Sequence, residues 1–152
     1  MIKSKTANVV SEPRLIVTRT YDAPVHTVFQ AFIDVELLKK WYTPNPDWPP
    51  RISDMKTEIG GGFTAAFGDP KEEPWVERTQ FLEIDPPHRL RTFHYMTHGG
   101  AFRVATRAEF TFLPLGGATQ LIVSETGAPA EIFESRINGW GGTLDNLVRA
   151  LK

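Results

Sequence analysis

INGWGGTLDNLVRALK, residues 137–152, is the stretch that decides the fold. Its apolar residues recur at steps of three and four, which is one face of an α-helix: Ile137, Trp140, Leu144, Leu147 and Leu151. Three glycines interrupt the middle of this helix, although each costs roughly 1 kcal/mol relative to alanine in a helix interior. These glycines, Gly139, Gly141 and Gly142, either allow a close approach between the helix and its neighbours or leave room for a ligand. The sequence favours neither interpretation.

Before this helix, the sequence predicts one strand, then two short helices, and then a run of strands. The first strand is predicted over residues 14–21, and the helices follow over residues 22–33 and 34–42. Asp22 can cap the first helix, Asp34 begins the second one, and a proline-rich stretch stops it. Six further strands are predicted over residues 51–56, 63–67, 75–84, 88–96, 101–112 and 119–126.

Turn residues separate these six strands by hairpin-length gaps, which predicts an antiparallel meander. One face of the resulting seven-stranded sheet has to be covered, and the only long element available is the helix over residues 130–151. Strongly twisted antiparallel strands curl around such a helix. We therefore predict an α+β fold of element order β-α-α-β6-α, in which a curved antiparallel sheet of seven strands wraps around a long C-terminal helix.

Length, composition and charge indicate one globular domain over residues 1–152, with a loosely ordered segment over residues 1–13. The balance of 17 basic and 18 acidic residues argues against a nucleic-acid partner and against an anionic membrane surface. The chain has no cysteine, which excludes disulfides, thiolate metal sites and cysteine nucleophiles. The first ten residues lack the apolar core of a signal peptide, and no apolar run reaches membrane-spanning length, so we predict a cytoplasmic protein.

Two patterns are similar to cofactor sites but lack the required context. GGGFTA, residues 60–65, fits a dinucleotide fingerprint, yet a strand-like segment follows it where a helix is needed, so a bulge or tight hairpin is the better interpretation. His94 and His98 are four residues apart, but they lie at a strand end and a turn, with no third ligand nearby in the sequence. We predict neither a nucleotide cofactor nor a metal ion.

Four strings of the sequence resemble the START-like (SRPBCC) superfamily, whose helix-grip fold is shared with the birch-pollen allergen. They are YDAPVHTVFQAFIDVELLKKWY (21–42), IGGGF (59–63), EIDPPHRL (83–90) and GWGGTLDNLVRAL (139–151). Over residues 14–151 the chain is most similar to the branch related to the C-terminal domain of the activator of heat-shock protein 90 ATPase. Many relatives carry an arginine shortly before the paired glycines, where this chain has KTEIGGG, so a role that rests on that arginine is not transferred.

The resemblance implies a cavity between the sheet and the C-terminal helix, and it implies three alternative functions. The first is binding of a small hydrophobic or aromatic molecule, similar to a lipid or a polyketide. The second is a cyclase or dehydratase type of enzyme that uses an acid or base in the cavity. The third is an interaction module that regulates a chaperone, which would then be its partner. The sequence favours the first function and leaves open whether the protein is a monomer or a homodimer.

Strand alternation places two ionisable residues on the inward face of the sheet. Glu125 shares the inward side of residues 119–126 with apolar neighbours. The alternation of residues 88–96 is ambiguous, and the family's pattern after PPHRL favours the inward set that contains His94. Because burial among apolar neighbours raises the pKa of a carboxyl group, Glu125 is the first candidate for a catalytic acid or base, and His94 is the second.

Aromatic and inward-facing residues give the predicted lining of the cavity, since tryptophan and tyrosine combine a large apolar area with a polar tip. The predicted ligand-binding residues are Trp41, Tyr42, Trp48, Phe63, Trp75, His94, Met96, Phe102, Val104, Phe110, Val123, Glu125, Trp140 and Leu144. If the helix glycines exist to make space, added bulk at Gly142 should affect ligand binding more than folding.

Overall fold

Seven antiparallel strands form a single sheet in the computed structural model of the protein, which describes residues 12–151. Residues 1–11, which make up most of the predicted loose segment 1–13, lie outside the described residues. The spatial order of the strands is β1-β7-β6-β5-β4-β3-β2. Their bounds are β1 Arg14–Tyr21, β2 Arg51–Lys56, β3 Gly62–Phe67, β4 Trp75–Asp85, β5 Arg89–His98, β6 Ala101–Leu115 and β7 Ala118–Thr126. The predicted fold class and all seven strands are confirmed.

In the described part of the chain, three α-helices accompany the sheet: α1 Val25–Ile33, α2 Val35–Trp41 and α3 Phe133–Asn146. Short 3-10 turns, Ala130–Ile132 and Leu147–Ala150, extend α3 at both ends and make it the long C-terminal helix that the sequence predicts.

Side-chain capping differs between the two short helices. The Asp34 side chain accepts hydrogen bonds from the backbone N–H groups of Glu36 and Leu37, so it caps α2 where the sequence predicts that this helix begins. The expectation that Asp22 caps α1 is wrong, because the extended residue Pro24 occupies the cap position and no side chain bonds there.

The core lies between the concave face of the sheet and the three helices. The alternation predicted for β5, β6 and β7 is confirmed, since the inward sets that contain His94, Val104 and Glu125 are buried. Leu144 and Leu147 are fully buried on the helix side. Ile137 belongs to the same periodic stripe but is 41% exposed, which corrects its predicted burial. The first turns of α3 run over an open cavity, so this part of the helix meets less of the sheet.

The glycine run at residues 60–62 turns the chain between β2 and β3. The Gly60 N–H donates to the Phe81 carbonyl at 2.8 Å, and the Phe81 N–H donates to Gly61 at 2.9 Å. A Cβ atom on Gly62 would lie 1.8 Å from the Thr79 carbonyl oxygen, so only glycine fits at this close approach of two strands. This run is therefore a hairpin turn. Within residues 12–151, no helix has both the length and the apolar character needed to cross a bilayer.

Candidate functional site

A cavity of about 460 Å³ opens between the concave face of the sheet and the first turns of α3. Its walls come from the loop after α2, from strands β3 to β6, and from the helix. The lining residues are Tyr42, Thr43, Pro44, Trp48, Phe67, Trp75, Glu77, Met96, Arg103, Val104, Ile132, Ser135, Arg136, Gly139, Trp140 and Thr143. Aromatic and aliphatic side chains form most of this lining, and Glu77, Arg103 and Arg136 carry its charges.

Six of the residues predicted to bind a ligand line the cavity. They are Tyr42, Trp48, Trp75, Met96, Val104 and Trp140. Tyr42 and Trp140 are buried at its floor, with ring centroids 6.5 Å apart. Trp75 stands at the rim, where it stacks on His98 at a centroid distance of 4.1 Å.

The other eight predicted residues do not line the cavity: Trp41, Phe63, His94, Phe102, Phe110, Val123, Glu125 and Leu144. All except Phe102 are buried, because the core continues beneath the cavity floor. Trp41, for example, is fully buried and donates its indole N–H to the Ala31 carbonyl at 2.9 Å.

Phe102 is 56% exposed because of a local irregularity in the pairing of β5 with β6. Met96 pairs with Val104, whereas the next residue, Thr97, pairs with Phe102, so Arg103 is the extra residue of a bulge. A bulge reverses the inward and outward alternation of the residues before it. Phe102 therefore faces outward, and the Arg103 side chain reaches the cavity.

Glu125 is buried, and its carboxylate forms an ion pair with Arg136. Arg136 donates to both of its carboxylate oxygens, from Nε at 2.9 Å and from Nη2 at 2.7 Å. The Trp140 indole N–H and the Thr106 hydroxyl also donate to it, at 2.9 and 3.1 Å. The three bonds from Arg136 and Trp140 tie α3 to the sheet, and the Glu125 carboxylate does not line the cavity.

A second buried polar cluster contains Glu77, which the sequence reasoning missed. The Tyr42 hydroxyl donates to Glu77 Oε1 at 2.6 Å, and His94 Nδ1 lies 3.3 Å from the same oxygen. His94 Nε2 lies 2.7 Å from the Thr92 hydroxyl, so both ring nitrogens of the histidine are occupied. The signal for Glu77 was present, because it alternates with Thr79 and Phe81 on the inward side of β4.

The electrostatics of this cluster fix Glu77 as a carboxylate. Burial alone raises the pKa of Glu77, but His94, Arg136 and the Tyr42 hydrogen bond outweigh it and lower the pKa to about 2. Burial and the neighbouring Glu77 charge raise the pKa of Tyr42 well above its usual value, so Tyr42 keeps its proton. The floor of the cavity therefore holds a stable negative charge beside a neutral phenol.

The three helix glycines have two different roles. A Cβ atom on Gly139 would meet nothing within 4 Å, and Gly139 lines the cavity. A Cβ atom on Gly142 would lie 2.4 Å from the Pro44 carbonyl oxygen, and one on Gly141 would lie 3.1 Å from Arg19 Nη2. Close packing therefore explains Gly142, which corrects the idea that bulk there acts on ligand binding, and open space explains Gly139.

His94 and His98 do not approach each other as metal ligands would. His94 is buried in the Glu77 cluster, whereas His98 stacks on Trp75 at the rim, and its Nε2 lies 3.1 Å from the Glu73 carbonyl oxygen. Among residues 12–151, no group of three or more histidine, aspartate or glutamate side chains is placed to hold a metal ion.

Comparisons with known proteins place this architecture in a family. The family model described as "Activator of Hsp90 ATPase homolog 1-like protein" matches residues 22–152. The solved structure of a protein from Rhizobium loti is similar, with 24% identity, a TM-score of 0.78, and coverage of 95% of this chain and 100% of that one. A protein from Chromobacterium violaceum has 23% identity, a TM-score of 0.76, and coverage of 88% and 93%. A protein from Arthrobacter aurescens has 20% identity, a TM-score of 0.79, and coverage of 95% and 92%. No curated protein matches the chain.

Proposed function

The chain belongs to the Activator of Hsp90 ATPase homolog 1-like family, and from that premise we propose that it binds one small hydrophobic or aromatic molecule in the cavity beneath α3. Because one fold can host many functions, the family alone does not identify the ligand. The observation that carries the proposal is the cavity itself. Its volume of about 460 Å³ lies within the range of roughly 300–1,000 Å³ that is typical of small-molecule sites.

The composition of the wall supports an apolar ligand. Trp48, Trp75 and Trp140 offer broad aromatic faces, and Met96 and Val104 add aliphatic surface. Sites of this kind combine mainly apolar walls with a few polar groups that orient the ligand.

Gly139 supports the proposal because it keeps the cavity open at a cost to the helix. An alanine there would meet no neighbour and would stabilise the helix by about 1 kcal/mol, so packing does not require the glycine. Space for a bound molecule gives a reason for a residue that otherwise only weakens α3.

The experiment compares Gly139→Leu with Asn138→Leu. The first variant puts a leucine into the cavity, whereas the second puts the same side chain on the neighbouring, exposed helix position. Binding of N-phenyl-1-naphthylamine, a neutral apolar probe, is followed by its fluorescence. We expect Gly139→Leu to weaken binding at least about tenfold, or about 1.4 kcal/mol, and Asn138→Leu to leave it unchanged. Absence of binding to the wild-type protein, or equal binding to both variants, would contradict the proposal.

The acid–base alternative assigned to Glu125 or His94 gains no support from the geometry, since neither residue lines the cavity. The chaperone-regulating alternative rests only on the description of the family. It stays a prediction, as do the cytoplasmic location and the choice between monomer and homodimer.

A further inference from the structure

Glu77 offers the cavity a carboxylate oxygen that the protein does not use. Its contacts with the Tyr42 hydroxyl, the Thr79 hydroxyl and His94 Nδ1 all involve the same oxygen, Oε1. Among the residues that the structure describes, Oε2 has no hydrogen-bond partner. A ligand donor that meets this charged oxygen would form a charge-assisted hydrogen bond, which is stronger than a bond between neutral groups.

Arg136 offers the complementary group. Its Nε and Nη2 atoms bind Glu125, whereas Nη1 has no acceptor within residues 12–151. The Arg136 side chain is only 13% exposed, so this nitrogen is largely withdrawn from bulk water. The guanidinium also lies near enough to Glu77 to lower the pKa of that carboxyl group.

Both unused atoms border the cavity. In the described part of the chain, no fully inaccessible side-chain nitrogen or oxygen lacks a partner, so Glu77 Oε2 and Arg136 Nη1 must each reach open space. Both side chains line the cavity, which is the open space beside them. The floor therefore presents one hydrogen-bond acceptor and one donor, held on rigid elements, β4 and α3.

Resting on the proposed function, we infer that the ligand is a neutral molecule whose apolar body ends in a paired donor and acceptor, as in a primary amide. The donor binds Glu77 Oε2, and the acceptor binds Arg136 Nη1. An anionic head group would face the Glu77 charge and is disfavoured. A cationic head group could donate to Glu77 Oε2, but it offers no acceptor to Arg136 Nη1, so only the neutral donor–acceptor pair matches both atoms. Arg103 lies at the exposed rim, with its guanidinium carbon 5.9 Å from the Trp75 ring centre, and its charge is screened by water.

The test uses four naphthalenes that differ only in the head group: 2-naphthamide, 2-naphthoate, 2-naphthylmethylamine and 2-methylnaphthalene. Affinities for the wild-type protein at pH 7 are measured by calorimetry or by quenching of tryptophan fluorescence. A ligand that leaves a buried donor or acceptor of such a site without a partner binds more weakly. We expect the amide to bind at least about tenfold more tightly than each of the other three.

Each other outcome overturns the inference. Equal binding of all four compounds would leave the proposed function in place. It would show that Glu77 and Arg136 do not discriminate between the head groups. Tighter binding of the carboxylate would show that the arginines dominate. If none of the four binds, and the apolar probe also fails to bind, the proposed function falls together with the inference.

Glu77→Gln supplies a second measurement, with the exposed Glu73→Gln as its control. Removing the charge at the floor should improve 2-naphthoate binding at least about tenfold and reduce the preference for the amide, whereas the control should change neither affinity. An unchanged preference in a folded Glu77→Gln variant would contradict the assigned contact. The ligand series on the wild-type protein decides the question even if this variant does not fold.

Discussion

Gly139→Ala and Gly142→Ala add the same methyl group to the same helix, three residues apart, and we expect opposite effects on stability. Both substitutions gain about 1 kcal/mol of helix propensity. At Gly139 nothing lies within 4 Å of the new atom, so this gain is kept. At Gly142 the methyl carbon would stand 2.4 Å from the Pro44 carbonyl oxygen and 3.3 Å from the carbonyl carbon, which is a clash with backbone.

The backbone around Pro44 cannot yield cheaply, because α3 itself holds it. Buried Asn146 donates to the Thr43 carbonyl at 2.7 Å, immediately before the clash. Overpacking of this kind typically costs 1–3 kcal/mol. Since the helix gain is common to both variants, their difference isolates this steric cost, and we expect Gly139→Ala to be more stable by about 1–3 kcal/mol.

Thermal unfolding measures the difference in stability between the two variants, and urea titration checks it. For a domain of this size, 1 kcal/mol moves Tm by roughly 2–4 °C, so Gly139→Ala should melt about 2–4 °C above the wild type. Gly142→Ala should melt at or below the wild type and several degrees below Gly139→Ala. If Gly142→Ala proves as stable as Gly139→Ala, the close-packing explanation of Gly142 is refuted.

Three further predictions concern the buried groups. Leu144→Asp should unfold the domain by placing an unpaired charge in the helix–sheet core, whereas Val148→Asp on the exposed side should melt near the wild type; wild-type melting of both would contradict the assigned helix face. Because the pKa of Glu77 falls from 4.5 to about 2 on folding, its carboxylate contributes about 3 kcal/mol above pH 5, and this is lost progressively as the pH falls towards 2. Urea unfolding at pH 6 and pH 3 should show a loss of about 2 kcal/mol in the wild type and a smaller loss in Glu77→Gln. Equal losses in the two proteins would contradict the lowered pKa of Glu77. Arg136→Met should cost about 3–5 kcal/mol of unfolding free energy by leaving Glu125 buried without its counter-charge, and Glu125→Gln in the same chain should restore part of it. If Arg136→Met alone is as stable as the double variant with Glu125→Gln, the unpaired Glu125 charge is not the cause of the loss.

Local patterns in the sequence determined the elements of this protein and the side of each strand that faces the core. Strand alternation, turn residues and the helical spacing of residues 144–151 act over a few positions, so they can be read without knowing what lies opposite. This is why the bounds of β1 and β2 and the inward position of Glu125 were predicted correctly, whereas the inward position of His94 needed the family resemblance. The same local reasoning failed at Phe102, because a bulge arises from pairing between two strands.

Only the tertiary structure decided which groups meet across the core. Tyr42 reaches Glu77 from 35 positions away, and Gly142 meets the backbone of Pro44, so neither contact has a local signature. The sequence placed Glu125 on the correct face but could not show that Arg136, 11 residues later on a different element, neutralises it. Side-chain direction follows from backbone periodicity, whereas charge pairing, open space and clashes depend on how the sheet and the helix are packed together. The structure therefore places Glu125, the candidate acid or base, in an ion pair with Arg136. It also shows that Gly142 is closely packed, whereas Gly139 faces open space.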